Sequence, residues 1–234
     1  RAQAINMTRG LTGMSTLARC FGDEVIVTDV GIATDLRCAA VRDRKIRYST
    51  ENLAHTPAMT RDDAVRAIAA GIETVREAVQ GGLTAAGIGE MGIGNTTTSS
   101  AVLCALTGAS VADVTGRGGG LTDEGFRKKR AVIEQAIALH RPDASDPIDA
   151  LSKVGGLDIA AMTGAFLGCA EQRIPAVVDG FISIVAALCA VRLCPAARDF
   201  LFLSHASYEI GYQIAARELG LEACLLLDMR LGEG

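Results

Sequence analysis

The densest chemistry in the chain lies in Gly87-Ile88-Gly89-Glu90-Met91-Gly92-Ile93-Gly94-Asn95-Thr96-Thr97-Thr98, where alternating glycines open directly into an apolar stretch that reads as a helix to Leu106. Glycines let the backbone turn its amides toward a guest. A helix amino terminus adds partial positive charge, so the two together form an anion cradle whose natural occupant is a phosphate. The same residues also satisfy the dinucleotide pattern GxGxxG through Gly87, Gly89 and Gly92, with Asp113 at a spacing suited to a ribose. Against that reading, the preceding strand would be the short Leu83 to Ala86, and Gly94-Asn95 delays the helix past the last glycine. A single phosphate or phosphoribose fits better.

Three further groups could join that cradle. Val114-Thr115-Gly116-Arg117-Gly118-Gly119-Gly120 is a glycine-rich loop running into a helix from Thr122 to His140, whose Arg127-Lys128-Lys129-Arg130 cluster offers compact cations for a phosphate. Periodicity does not separate Lys129 from its neighbours, and Lys128 and Arg130 read as solvated. Asp179-Gly180 and Ser204-His205 each follow an apolar strand and so project near one sheet edge, with Ser207 close by. Ser204 lacks the GxSxG elbow of a nucleophile, and nothing nearby in sequence orders His205 into a triad. Asp228-Met229-Arg230-Leu231-Gly232-Glu233-Gly234 sets a carboxylate between two glycines. A desolvated Glu233 would have its pKa raised toward neutrality for base work, whereas composition alone makes it a solvated loop residue.

These groups need a scaffold that brings loop ends together. Strand patterns at Glu24–Val30, Leu83–Gly89, Ile174–Val178, Phe200–Leu203 and Ala223–Leu227 alternate with helical patterns, among them Thr60 to about Val79, Thr96–Leu106, Phe181–Arg192 and Tyr208–Leu219. Thr60 reads as the cap of its helix, followed by acids suited to a first turn. Strands alternating with helices of this length predict an α/β fold with a doubly wound, mostly parallel sheet flanked by helices. Ligands bind such sheets beyond the carboxyl ends of the strands, where the glycine-rich turns collect. Gly155-Gly156 separates two helices, and residues 1–234 form one domain.

Composition agrees. The 234 residues are 49% hydrophobic, 21% charged and only 4% aromatic, a palette for helices packed closely on a parallel sheet. A net charge of −4 argues against a general nucleic-acid surface. Asp179, Gly180 and Arg192 interrupt the apolar stretch from Ile174 to Cys194, which reads as buried strand and helix rather than a membrane span. The seven cysteines form no CxxC pair and mostly sit among aliphatic neighbours, as core thiols do in a reducing compartment; neither a metal nor a disulfide is expected.

Gly89-Glu90-Met91-Gly92-Ile93-Gly94-Asn95-Thr96-Thr97, Val114-Thr115-Gly116-Arg117-Gly118 and Arg230-Leu231-Gly232-Glu233-Gly234, in that order, closely resemble the nicotinate-nucleotide:dimethylbenzimidazole phosphoribosyltransferase family. Asp29-Val30-Gly31, Pro57-Ala58-Met59-Thr60, Val178-Asp179-Gly180-Phe181 and Ser204-His205 extend the resemblance over essentially the whole chain. It implies a Rossmann-like large domain, a smaller helical part built from the chain ends, and a cytoplasmic homodimer acting in cobalamin nucleotide-loop assembly. It also implies nicotinate mononucleotide and an aromatic base as the small-molecule partners and no cofactor. The family's catalytic base maps onto Glu233, and its phosphate-binding elements onto the Gly92–Asn95 turn, Lys129 and Ser204. Backbone amides of Leu231 and Gly232 would meet the nicotinate carboxylate or the developing charge. The remaining substrate-binding candidates are Glu90, Thr96, Gly116, Arg117, Gly118, Asp179 and Arg230. The family's polypeptide extends beyond Arg1 and Gly234, and Ser49-Thr50 stands where it usually has Gly-Thr. Some relatives attach phenolic bases, so 5,6-dimethylbenzimidazole is the default acceptor. A phosphoribose-binding or regulatory subunit without turnover is the alternative from another functional class.

Overall fold

The structure is a computed structural model describing residues 1–117 and 120–228. Two short helices, α1 (Ala2–Thr8) and α2 (Gly13–Phe21), precede strands β1 (Val27–Asp29) and β2 (Val41–Asp43), which pair in parallel. After the long α3 (Arg61–Gln80) comes β3 (Ala86–Ile88). The helices α4 (Thr96–Thr107), α5 (Val111–Val114), α6 (Asp123–His140), α7 (Pro147–Val154) and α8 (Leu157–Gln172) then lead back to β4 (Ala176–Val178). Helix α9 (Phe181–Leu193) and a 3-10 turn connect to β5 (Leu201–Leu203), and α10 (Ile210–Leu219) follows. Strands β3, β4 and β5 lie side by side in that order, all parallel, with Gly87, Val177 and Phe202 in one row of the register.

The α/β architecture with helices flanking parallel strands is therefore present, and the strands are shorter than the apolar runs that announce them. Ala223–Leu227 does not become a full strand. It runs beside the extension of β5, with Cys224 N–H donating to the Leu203 carbonyl at 3.1 Å and Leu225 N–H to that of Ser204 at 3.0 Å. The small part at the N-terminal end contains the pair β1–β2 as well as helices. Its own core of Met7, Val27 and Val41 packs against Met91 of the glycine turn. Of the seven cysteines, Cys104, Cys169 and Cys189 are buried, whereas Cys20, Cys194 and Cys224 are exposed, contrary to a mostly core placement. None is in a disulfide. No helix among the described residues is long and apolar enough to cross a membrane.

Local chemistry explains the element ends. The Thr60 hydroxyl accepts from Asp63 N–H at 3.0 Å while the Asp63 carboxylate accepts from Thr60 N–H at 3.2 Å, closing both ends of a capping box on α3. Gly155 and Gly156 stand between α7 and α8, as their sequence suggests. Ser49 adopts φ +69°, a left-handed conformation that glycine would enter without strain.

The closest helix packing is between α3 and α8. A Cβ at Gly71 would lie 1.9 Å from the Ala161 carbonyl oxygen, and one at Gly164 would lie 1.9 Å from that of Ile68. Backbone meets backbone there, and the fixed pair supports the first turn of α8, whose Asp158 reaches the Asn95 amide. Alanine at Gly164 gains about 1 kcal/mol of helix propensity. Its methyl must nevertheless displace main chain rather than a flexible side chain, at a cost of roughly 1–3 kcal/mol or more. We expect Gly164→Ala to lower the urea midpoint of unfolding and Gly87→Ala, where a Cβ meets nothing within 4 Å, to leave it nearly unchanged. Equal midpoints would show that α3 and α8 do not depend on this approach.

Candidate functional site

Gly92 (φ +72°) and Gly94 (φ +79°) both occupy left-handed conformations, which turn the chain tightly between β3 and α4. α4 begins only at Thr96, after the last glycine, and Asn95 precedes it without a side-chain cap. Its first turn thus faces the glycine turn, whereas the first turns of α3, α6 and α7 are closed by Thr60, Thr122 and Asp146. Gly92, Ile93, Gly94, Thr96 and Thr97 line a cleft of about 580 Å³ opposite Arg117, Leu121, Gly125, Lys128, Lys129 and Val132. This is the geometry of an anion cradle.

Lys129 lies at the base of this cleft. It is 6% exposed, and its ammonium donates to Thr96 Oγ1 and to the Gly116 carbonyl, each at 3.0 Å. Burial lowers its pKa, with Glu209 acting in the opposite direction. The structure thereby singles out Lys129 from the basic cluster. Lys128 is exposed yet lines the same cleft, and the Arg130 guanidinium lies 5.8 Å from the Phe126 ring centroid. Arg117 is held by the Leu121 carbonyl at 3.0 Å and by the Asp123 carboxylate, and it stacks on Phe126 at 5.2 Å.

Carboxylates gather on the other side of the glycine turn. Glu90 accepts from Gly92 N–H and from the Asn95 amide, and the same amide nitrogen donates to Asp158 Oδ2 at 2.8 Å. Burial is the largest influence on Glu90 and, with Asp158 and Asp179 nearby, pushes its pKa up to about 7 against the opposing hydrogen bonds. Asp179 at the end of β4 is also raised, chiefly by burial, while His205 opposes the shift. His205 Nδ1 lies 3.9 Å from Asp179 Oδ1 and 3.1 Å from the Ser204 hydroxyl, which donates to the Val178 carbonyl at 2.8 Å. Ser204 thus ties β5 to β4, with its hydroxyl committed to main chain.

Glu90, Gly92, Gly94, Asn95, Thr96, Gly116, Arg117 and Lys129 therefore come together around one turn. Asp179 and Ser204 stand at the neighbouring strand ends, close enough for Asp179 to act on Glu90. Gly118, Arg230, Leu231, Gly232 and Glu233 lie outside the described residues. Asp113, the ribose ligand of the dinucleotide pattern, instead accepts from the Ser110 hydroxyl at 2.6 Å, and the late start of α4 also disfavours that pattern. Asp158 and Glu209 escaped sequence reasoning. Asp158 follows the Gly155-Gly156 pair by two residues, and first-turn acids are common enough to carry no signal; Glu209 sits in a polar loop between two better-marked segments. A second recess of about 570 Å³ is lined by Asp29, Asp35, Asp43, Lys45, Arg47 and Tyr48, among others. Its main charges are paired internally, with Lys45 2.7 Å from Asp29 and the Tyr48 hydroxyl donating to Asp35 at 2.6 Å. No cluster of metal-ligating side chains occurs among the described residues.

Comparison with known proteins bears on the family and the fold. The chain is 51% identical, over 99% of its length and 64% of the relative's, to the nicotinate-nucleotide--dimethylbenzimidazole phosphoribosyltransferase of Clostridium perfringens (strain ATCC 13124). It is 48% identical to the protein of the same name from Acetivibrio thermocellus, over 98% of this chain and 65% of that one. It thus spans about two thirds of the length of these relatives, slightly less in both cases. The crystal structure of CobT from Thermus thermophilus superposes with a TM-score of 0.95 at 39% identity, covering 100% of this chain and 70% of that one. The sequence model described as "Phosphoribosyltransferase" matches residues 1–234, and the chain belongs to that family.

Proposed function

We propose that residues 1–234 are the α/β catalytic core of an enzyme that moves the phosphoribosyl group of nicotinate mononucleotide onto an aromatic base, by default 5,6-dimethylbenzimidazole. The products are nicotinate and α-ribazole 5′-phosphate, for the nucleotide loop of cobalamin. The observation that carries this reading is the cleft in which Lys129 and the first turn of α4 face one space, beside a Glu90 carboxyl whose pKa is about 7. The names of the relatives support it.

The chemistry suits such a site. The pyridinium of nicotinate mononucleotide is already a good leaving group, so holding the base nitrogen opposite it at ribose C1′ supplies much of the rate. The C1′–N bond to nicotinate breaks as the bond to the base nitrogen forms on the opposite face, which converts a β- into an α-glycoside. The second ring nitrogen becomes acidic and gives its proton to Glu233. Atoms and charge balance with no cofactor. Lys129, Thr96 and the turn from Gly92 to Asn95 hold the phosphate, while Arg117 borders it. Glu90 and Asp179 form the acidic wall on the ribose side. Amides of Leu231 and Gly232 meet the nicotinate carboxylate. We place the protein in the cytoplasm as a homodimer, supported by free thiols at exposed Cys20, Cys194 and Cys224 and by exposed Leu17 and Phe21 on α2.

Nicotinate release from nicotinate mononucleotide and dimethylbenzimidazole tests the reading, with Glu233→Gln as the variant. A fall in kcat of about 10²- to 10⁴-fold is expected for loss of a general base. Equal turnover would reduce Glu233 to a positional role. Binding without turnover, with phenolic acceptors as well, would replace the enzyme by a phosphoribose-binding protein; turnover with a phenol alone would change the acceptor.

Glu90 makes a separate prediction for stability. Its folded-state pKa of about 7 lies above the ordinary 4.5, so folding favours the protonated carboxyl. That contribution is complete below about pH 4.5 and is lost as pH rises through about 7. The difference in unfolding free energy between wild type and Glu90→Gln should therefore move in the variant's favour across this window, by about 3 kcal/mol at most. A difference constant from acid to neutral pH in paired denaturation curves would contradict the raised pKa.

A further inference from the structure

Lys129 is a cation removed from water, and its two hydrogen-bond acceptors, Thr96 Oγ1 and the Gly116 carbonyl, are both neutral. Its charge needs a source of negative potential, and one is built beside it. Glu209, the residue preceding α10, lies directly over Gly116: a Cβ placed there would come within 1.8 Å of Glu209 Oε2. The carboxylate thus rests on the same residue whose carbonyl grips Lys129. Its backbone is fixed on both sides, with Glu209 N–H donating to Ser207 Oγ at 3.4 Å and the Glu209 carbonyl accepting from Tyr212 N–H at 3.0 Å.

The other groups around the ammonium do not do this work. α4 offers the uncharged Thr96 and Thr97. α6 contributes Lys128, and the loop after α5 contributes Arg117, both lining the same cleft; Arg117 is itself paired with Asp123. Both cations oppose a further positive charge. Glu209 is the carboxylate on the far side of Gly116, and it acts on Lys129 against the effect of burial.

We propose that Glu209 is a positioning residue for anion binding: it seats the Gly116 turn and keeps Lys129 charged, so that the cleft holds a phosphate ester at and above neutral pH. This rests on the reading of the cleft as a phosphate site. A side chain at residue 116 would push the Glu209 carboxylate aside, away from the turn that holds Lys129.

Two measurements separate this inference from that reading. The first follows the side-chain nitrogen of Lys129 by NMR in protein carrying ¹⁵N-lysine, titrated in wild type and Glu209→Gln. The midpoint is expected to fall in the variant; an unchanged midpoint overturns the proposal. The second measures inorganic phosphate binding by calorimetry over the same pH range. Affinity should be lost on the alkaline side at lower pH in Glu209→Gln than in wild type, with the acid side retained. A uniform loss at every pH, with the lysine midpoint unmoved, would reduce Glu209 to a structural role and overturn its electrostatic one. If neither protein binds phosphate yet the midpoint still falls, the phosphate reading fails and the action of Glu209 on Lys129 stands. Should Glu209→Gln not fold, Glu209→Asp serves instead, since it keeps the charge but shortens the reach: a midpoint like that of wild type with a weakened Gly116 seat is expected. Collapse of that midpoint despite the retained carboxylate would count against the charge mechanism.

Discussion

A single buried ammonium organises the site. Lys129 reaches from the middle of α6 to the first residue of α4 and to the loop that follows α5, and so joins three segments far apart in sequence. Removing its charge from water is expensive, and neutral acceptors offset only part of that cost. Part of the remainder comes from the Glu209 carboxylate over Gly116, which acts on Lys129 against the effect of burial.

The scaffold keeps those groups in register by close packing. Gly71 and Gly164 let α3 and α8 touch through their main chains, and α8 then delivers Asp158 to the Asn95 amide. The amide nitrogen has two hydrogens and two carboxylate acceptors, Glu90 and Asp158, so the glycine turn is held from below while its upper surface faces the cleft. From the side, the partly buried Met91 packs against the small core of Met7, Val27 and Val41. The N-terminal unit is therefore mechanically connected to the turn, although it contributes nothing to the cleft lining. Strand register adds a further consequence. Ile88, Val178 and Leu203 face the helices, while Val177 and Phe202 on the opposite face remain 37% and 51% exposed. Parallel sheets are ordinarily covered on both faces.

The sequence made the glycine turn and its following helix legible because positive-φ glycines and a delayed helix start leave a distinct pattern. Glu90, Asn95 and Thr96 could be placed with them for the same reason. The α/β order was legible from alternating periodicities, yet β2 was not, since Val41-Arg42-Asp43 is too short and too polar to stand out. Ala223–Leu227 looked like a strand because apolar content marks burial or pairing without saying how much of either. Lys129 could not be told from Lys128 because burial is a property of how α6 lies on α4. Asp158 and Glu209 were missed on similar grounds: each matters through a contact across 63 or 93 residues of sequence, with Asn95 and Gly116 respectively, and an acidic residue in isolation carries no sign of such a partner.

The distribution of charge around the turn has its own logic. Lys129, Lys128 and Arg117 stand on the cleft side, while Glu90, Asp158 and Asp179 collect toward the ends of β3 and β4. Separated by a few residues of glycine-rich main chain, the two groups set up a potential gradient across the site. In a partly desolvated cleft such a gradient is stronger than the same charges would produce in water. For the nicotinate mononucleotide of the proposed function, with a phosphate at one end and a pyridinium ring at the other, such a gradient would align the two ends before any short-range contact forms. The raised pKa of Glu90 comes first from burial, with Asp158 and Asp179 adding to it, and its carboxyl gives up its proton most readily when a positive group arrives beside it. On the proposed function the acidic wall would thus answer to the charge of the pyridinium ring, and the basic cleft to the phosphate end.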